Sequence, residues 1–287
     1  MKKINTLLIL IIVIWAILAI IFAFSDLYIS IMVADVNYQE GFNWTSIGGV
    51  GDKGNHALYM FAIVIFIGSL TGHYFSKITN KNALEWQRIV LYFFLIVHII
   101  NFIDNLIIEK FERAVQAFAT VCLLLVFLVL AYNTNWIKFI PIAISLIILN
   151  HSMTAISNTT RVLWDRVRYQ DLSSNYSEYT PWYIINPNER GRSSFISIHT
   201  KVACLGFPIL FLIQYEDIKK SAKAIFSVSI IGWAIYVAIT RVVIGKHYAS
   251  DVLFPIGFAS VITILLYKIF MSDKLRNLFF KDDLNIL

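Results

Sequence analysis

An arginine, an imidazole and a carboxylate gather in one stretch near the C-terminal end, Thr240-Arg241-Val-Val-Ile-Gly-Lys-His247-Tyr-Ala-Ser-Asp251. On a helix, His247 and Asp251 are four residues apart and share a face. That spacing lets a carboxylate hold one imidazole nitrogen while the other faces a substrate, as in sites built from a nucleophile, a base and an orienting group. Arg241 adds a fixed fork of donors suited to phosphate oxygens. The stretch lies where two apolar runs meet, Ile225–Ile239 and Val252–Phe270.

The elements that must position these groups are membrane spans. The 287 residues are 58% apolar and 15% charged, with a mean hydropathy of +0.70, values that exclude an ordinary soluble domain. The formal net charge of +6 is no nucleic-acid stripe, because the basic residues punctuate the apolar runs as loops at a membrane surface do. Cys122 and Cys204 lie inside apolar segments, without metal-site spacing, and read as fillers. Apolar spans are predicted over 7–24, 56–74, 88–106, 113–132, 136–156, 194–214, 222–240 and 251–270, each near the ~20 residues that cross a bilayer. The fold class is therefore all-α, a polytopic helical bundle forming one membrane-embedded domain over 1–287. Residues 25–54 read as a polar, acidic loop carrying Asp26, Asp35, Glu40 and Asp52, with Trp44 as an interfacial anchor. His98, Asn101 and Asp104 read as a polar seam between helices, and Asp52 and His56 as helix-capping residues.

Lysines and arginines set the orientation. With the N-terminus in the cytoplasm and every span crossing, that side receives Lys2, Lys3, Lys77, Lys81, Arg88, Lys138, Lys219, Lys220, Lys223 and the tail Lys268, Lys274, Arg276 and Lys281. His247 then faces away from the cytoplasm. So does the long polar stretch 157–194, with Arg161, Arg166, Arg168, Arg190 and Arg192. A loop so long and so rich in arginine reads as functional.

The Thr240–Asp251 stretch resembles the third signature of the type 2 phosphatidic acid phosphatase family, SRxxxxxHxxxD, with threonine for serine. Arg161–Tyr169 resembles the first, KxxxxxxRP, with arginine for lysine and tyrosine for proline. Ile196-Ser197-Ile198-His199 resembles the second, PSGH, keeping the serine and the histidine. The lead-in Gly191-Arg192-Ser193-Ser194-Phe195 is similar to that of bacterial lipid A phosphatases. All three occur in the family's order, within 157–251, and on one side of the inferred membrane.

The resemblance implies a six-helix phosphatase core, within up to eight spans, that removes phosphate from a lipid without a metal or other cofactor. His247 would be the nucleophile, Asp251 its support and His199 the leaving-group acid, while Arg161, Arg168, Ser197 and Arg241 would bind the phosphoryl oxygens. Partners would be the lipid phosphate and surrounding membrane lipids, with no nucleic acid and no required protein. The setting would be a bacterial inner membrane, with the site facing the periplasm. Two alternatives stand beside hydrolysis: phosphotransfer to a lipid acceptor through the same site, and binding or transport of anionic lipids without catalysis.

Overall fold

The computed structural model describes residues 2–34, 44–187, 194–210, 213 and 219–270. Asp35, Glu40, Arg190, Gly191, Arg192, Ser193 and the tail cations Lys274, Arg276 and Lys281 lie outside them, as do the side chains of Trp44, Asp52 and His56. The described chain is all-α, with no strand. Its helices are α1 (Lys2–Val33), α2 (Trp44–Phe75), α3 (Ala83–Ile107), α4 (Phe111–Ala131), α5 (Ile140–Trp164), α6 (Ile198–Ala203), α7 (Lys220–Val243) and α8 (Ala249–Phe270). Seven of these segments are long and apolar enough to cross a membrane, as expected of a chain whose apolar side chains outnumber what a soluble surface accepts.

Three expectations change. The loop foreseen over 25–54 is largely helical: α1 runs on through Asp26 to Val33 and α2 begins at Trp44. Asp26 interrupts the apolar run without ending the helix, because its carboxylate is buried against partners rather than solvated. The predicted span 194–214 is not one described helix. It breaks after the short α6 into a 3₁₀ turn at Cys204–Gly206 and a turn at 207–208, and helix resumes at 209–210; Pro208 lacks the N–H that would carry α6 through unbroken. The expected interhelical polar seam on α3 is in part intrahelical. His98 Nδ1 bonds Phe94 O at 2.8 Å and Asn105 Nδ2 donates to Asn101 O at 2.7 Å, while Asn101 and Asp104 are exposed.

The chain packs as two compact units. One holds α3, α4, most of α2 and the start of α5. In it α3 pairs with α4, and Trp136 packs its ring on Gly68, where a Cβ would lie 2.5 Å from the indole. Phe127 meets the same indole at 4.9 Å.

The other unit holds α1, the rest of α5, and α6 to α8. Its core joins Leu149 and Met153 of α5 to Ala203, Cys204 and Phe207, to Ala234 and Val237 of α7, and to Ala259 of α8. Small side chains at 203, 234 and 259 let the helices approach closely. α1 seats Trp15 edge-on to Phe254 and Phe258 at 5.5 and 5.0 Å, over Gly257, where an added Cβ would meet the indole at 2.4 Å.

Candidate active site

The three signature segments are stitched together by backbone hydrogen bonds. Ser194 N donates to Arg166 O at 2.7 Å, Ser197 N to Asp251 O at 2.9 Å, and Gln170 N to Gly245 O at 3.0 Å. Segments separated by dozens of residues thus share one end of the α5–α8 unit. The turn carrying His247 is set by the end of α7: Ile244 N reaches Thr240 O, and Gly245 N reaches Val242 O at 2.9 Å. Gly245 has φ +69°, a left-handed helix stop that glycine adopts without penalty. His247 N then bonds Arg241 O at 3.2 Å, closing the turn.

His247 is buried, and its Nδ1 lies 2.7 Å from Ser194 O. A carbonyl only accepts, so Nδ1 carries the hydrogen and Nε2 keeps its lone pair. Asp251 Oδ2 stands 3.7 Å from the same Nδ1. Thus the immediate hydrogen-bond partner that orients the ring is the Ser194 carbonyl, whereas spacing pointed to Asp251. The carboxylate acts on the ring as a nearby charge while it is held by other groups. Its Oδ2 accepts from Tyr248 N at 2.9 Å and its Oδ1 from Arg166 Nη1 at 2.6 Å.

Arg166, in the sequence one arginine among several in the 157–194 stretch with no role of its own, is the hub of the site. It is 1% exposed. Its Nη1 also donates to Ser250 Oγ at 2.8 Å, its Nη2 to Asp26 Oδ2 at 2.9 Å and its Nε to Thr180 O at 2.8 Å. The Tyr248 ring lies 4.0 Å from the guanidinium carbon. Asp26 in turn accepts from Ser250 N at 2.9 Å and from Ser250 Oγ. A guanidinium placed between two carboxylates, with further donors completing their shells, is the arrangement in which burying charge is tolerated. The trio sums to one negative charge beside His247. A signal was present in the sequence: Asp26 stands alone between apolar residues that continue to Val33, and an ionisable residue at such depth has a function by default.

The remaining expected residues divide. Arg241 is buried, with Nε donating to Thr240 Oγ1 at 3.3 Å; Thr240, in the signature's serine position, itself bonds Val237 O. Arg168 precedes the 3₁₀ turn Tyr169–Asp171, whose backbone meets Gly245. Ser197 caps α6, its Oγ accepting from Thr200 N at 3.3 Å. The same Oγ accepts from Thr200 Oγ1 at 3.1 Å, so the cap uses its lone pairs and not its O–H donor. His199 stands half-buried in the first turn of α6, and Arg161 is exposed in the last turn of α5. Arg168 Nε, Ser194 Oγ and Tyr248 Oη are buried without a hydrogen-bond partner among the described residues. Such donors call for an acceptor. Burial raises the Tyr248 and Tyr179 phenols above their ordinary range, so both stay protonated at neutral pH.

Aromatic contacts hold the loop after α5 in place. Trp164 Nε1 donates to Trp182 O, and Trp182 Nε1 reaches Ala19 O of α1 at 2.9 Å. Phe254 packs against Trp182 at 4.7 Å and against Phe195 at 5.1 Å.

Residues 162–274 match the family model of the PAP2 superfamily, consistent with a type 2 phosphatidic acid phosphatase. No curated protein and no solved structure matches the chain. Members of that superfamily are phosphatases, and the match together with seven membrane-length helices fits an integral membrane lipid phosphatase.

Proposed function

From the PAP2 match over residues 162–274 as premise, we propose that this protein removes a phosphate from a membrane lipid through a phosphohistidine on His247. The observation that carries the reading is the bond from His247 Nδ1 to the Ser194 carbonyl, which leaves Nε2 as a free nucleophile. Nε2 attacks phosphorus, and the bond to the lipid oxygen breaks as His199 delivers its proton to that oxygen. The imidazole, now phosphorylated and positively charged, gains from the Asp251 carboxylate 3.7 Å away. Water then attacks phosphorus. The N–P bond breaks, inorganic phosphate leaves, and the water's proton returns to the deprotonated His199.

Arg168 and Arg241 neutralise the phosphoryl oxygens, whereas Arg161, exposed at the end of α5, stands outside this group. The unpartnered Arg168 Nε and Ser194 Oγ are donors available to those oxygens. Ser197 contributes by capping the helix that carries His199. Among lipid phosphates, the lead-in Gly191–Phe195 favours lipid A. The site then faces the periplasm from a bacterial inner membrane. The test is to quench the purified protein during turnover of a radiolabelled lipid phosphate. Acid-labile label should appear on the wild type and none on His247→Ala, with turnover surviving EDTA and falling with vanadate. Activity restored only by a divalent cation would sink the mechanism. Mass spectrometry of lipids from cells lacking or overproducing the protein identifies the substrate.

A further inference from the structure

We propose that Lys201, Ser157 and Arg161 form a second anion-binding position beside the His247 centre, one that takes a further acidic group of the lipid; this rests on the phosphatase reading above. α6 leaves the site at Ser197, and Lys201 lies one turn along it, its N–H bonded to Ser197 O at 3.0 Å. The lysine is only 8% exposed. A lysine at a membrane boundary ordinarily extends its ammonium to water. Here the side chain is covered instead, and Nζ donates to Thr154 Oγ1 on α5 at 3.3 Å.

From Thr154, Ser157 and Arg161 follow at three and seven positions, so all three lie along one face of α5. Ser157 is buried, and its hydroxyl has no hydrogen-bond partner among the described residues. Thr160 bonds the Ser157 carbonyl, not this hydroxyl. The charge of Arg161 acts on that of Lys201, and neither makes an ion pair among the described residues. Two like charges and an orphan hydroxyl therefore converge with no carboxylate between them. Burying the lysine and the orphan hydroxyl costs free energy unless an anion completes them.

His199 and Lys201, two apart on α6, point to different sides of the helix. The second position is therefore distinct from the one that receives the scissile phosphate. Its ligand is an oxyanion, such as a second phosphate or a carboxylate, carried on the same lipid. The exposed Arg161 marks its open edge.

The test compares two lipids of one chain length with the full-length protein in detergent micelles. One bears a single phosphate on a neutral remainder; the other bears that phosphate and a second one. The wild type should prefer the second in kcat/KM, and should gain more thermal stability from it. Lys201→Met should lower that preference tenfold or more and abolish the difference in thermal shift, and Lys201→Arg should keep most of both. Arg161→Gln, at an exposed position that cannot disturb the core, should erode the same ratio if Lys201→Met fails to fold. An unchanged ratio in the variants, whether both lipids weaken together or neither does, overturns the proposal. So does a Lys201-dependent thermal shift with inorganic phosphate that matches the shift with the doubly charged lipid, which would assign the position to free phosphate. If neither lipid is hydrolysed yet the Lys201-dependent difference in thermal shift persists, the phosphatase reading fails and the binding position stands.

Discussion

At the scale of single residues, the two histidines have different work, and a leaving-group series separates them. His247→Ala removes the covalent route, so turnover should fall by several orders of magnitude on every substrate. His199→Ala withdraws one proton transfer, a contribution of about 10²–10⁴-fold. An aryl phosphate leaves without that proton and should rescue the His199 variant but not the His247 variant. Equal activity of wild type and His199→Ala on the lipid would remove His199 from the mechanism. Asp26 is a second test at this scale. Asp26→Ala leaves Arg166 with one carboxylate in place of two and the Ser250 N–H without an acceptor. Breaking a buried charge network of this kind costs about 3–5 kcal/mol, readable as a lowered thermal midpoint in detergent. A loss under about 1 kcal/mol would show that α1 does not support the site through this carboxylate.

Among the elements, the turn after α7 and the loop after α5 govern the geometry. Gly245 at φ +69° places His247 two residues past the helix stop, and Gly245→Ala should cost about 1–2 kcal/mol from the left-handed backbone alone. Since the same turn carries the Gln170 bond, activity should fall further than stability does. In the loop, Glu178 accepts from Ser173 N at 3.2 Å and from Ser173 Oγ, and these bonds hold its carboxyl below the ordinary value of 4.5. A carboxyl whose folded value is depressed adds order above its unfolded value and loses it as pH falls through the folded one. Hydrogen-exchange protection at 173–179, corrected for the intrinsic pH dependence of exchange, should accordingly fall as pH drops through that lowered value. Glu178→Gln should exchange faster at neutral pH and lose most of that pH response. Its neighbour Tyr179 packs edge-on against Tyr248 at 5.4 Å, so the loosening reaches the Arg166 hub.

For the molecule in its membrane, the 24 residues of α7 span about 36 Å, which separates Lys220 from His247 by a bilayer's thickness. Cysteines placed at Lys220 and at the exposed Asn175 should therefore label from opposite sides, Asn175 from the non-cytoplasmic one. Labelling of both from one side would overturn the orientation drawn from the lysines and arginines.

Composition alone determined the all-α membrane class, because no soluble surface accommodates so many apolar side chains. Hydropathy placed most spans, and Thr240–Asp251 falls within residues 162–274, which match the PAP2 superfamily model. It misread two segments for local reasons. Asp26 looked like loop because a lone carboxylate lowers hydropathy, while its partner Arg166 is 140 residues away. The span at 194–214 looked continuous because apolar content does not register the 3₁₀ turn at Cys204–Gly206 or the turn at 207–208 that follow α6. Spacing proposed Asp251 as the holder of His247, since i and i+4 share a helix face. Tertiary structure gave the close bond to the Ser194 carbonyl and gave Asp251 to Arg166 and the Tyr248 N–H. Helical periodicity acts over a few residues and is written in the chain. Which backbone carbonyl or buried charge arrives from dozens of residues away is settled only when the helices pack and every buried donor must find an acceptor.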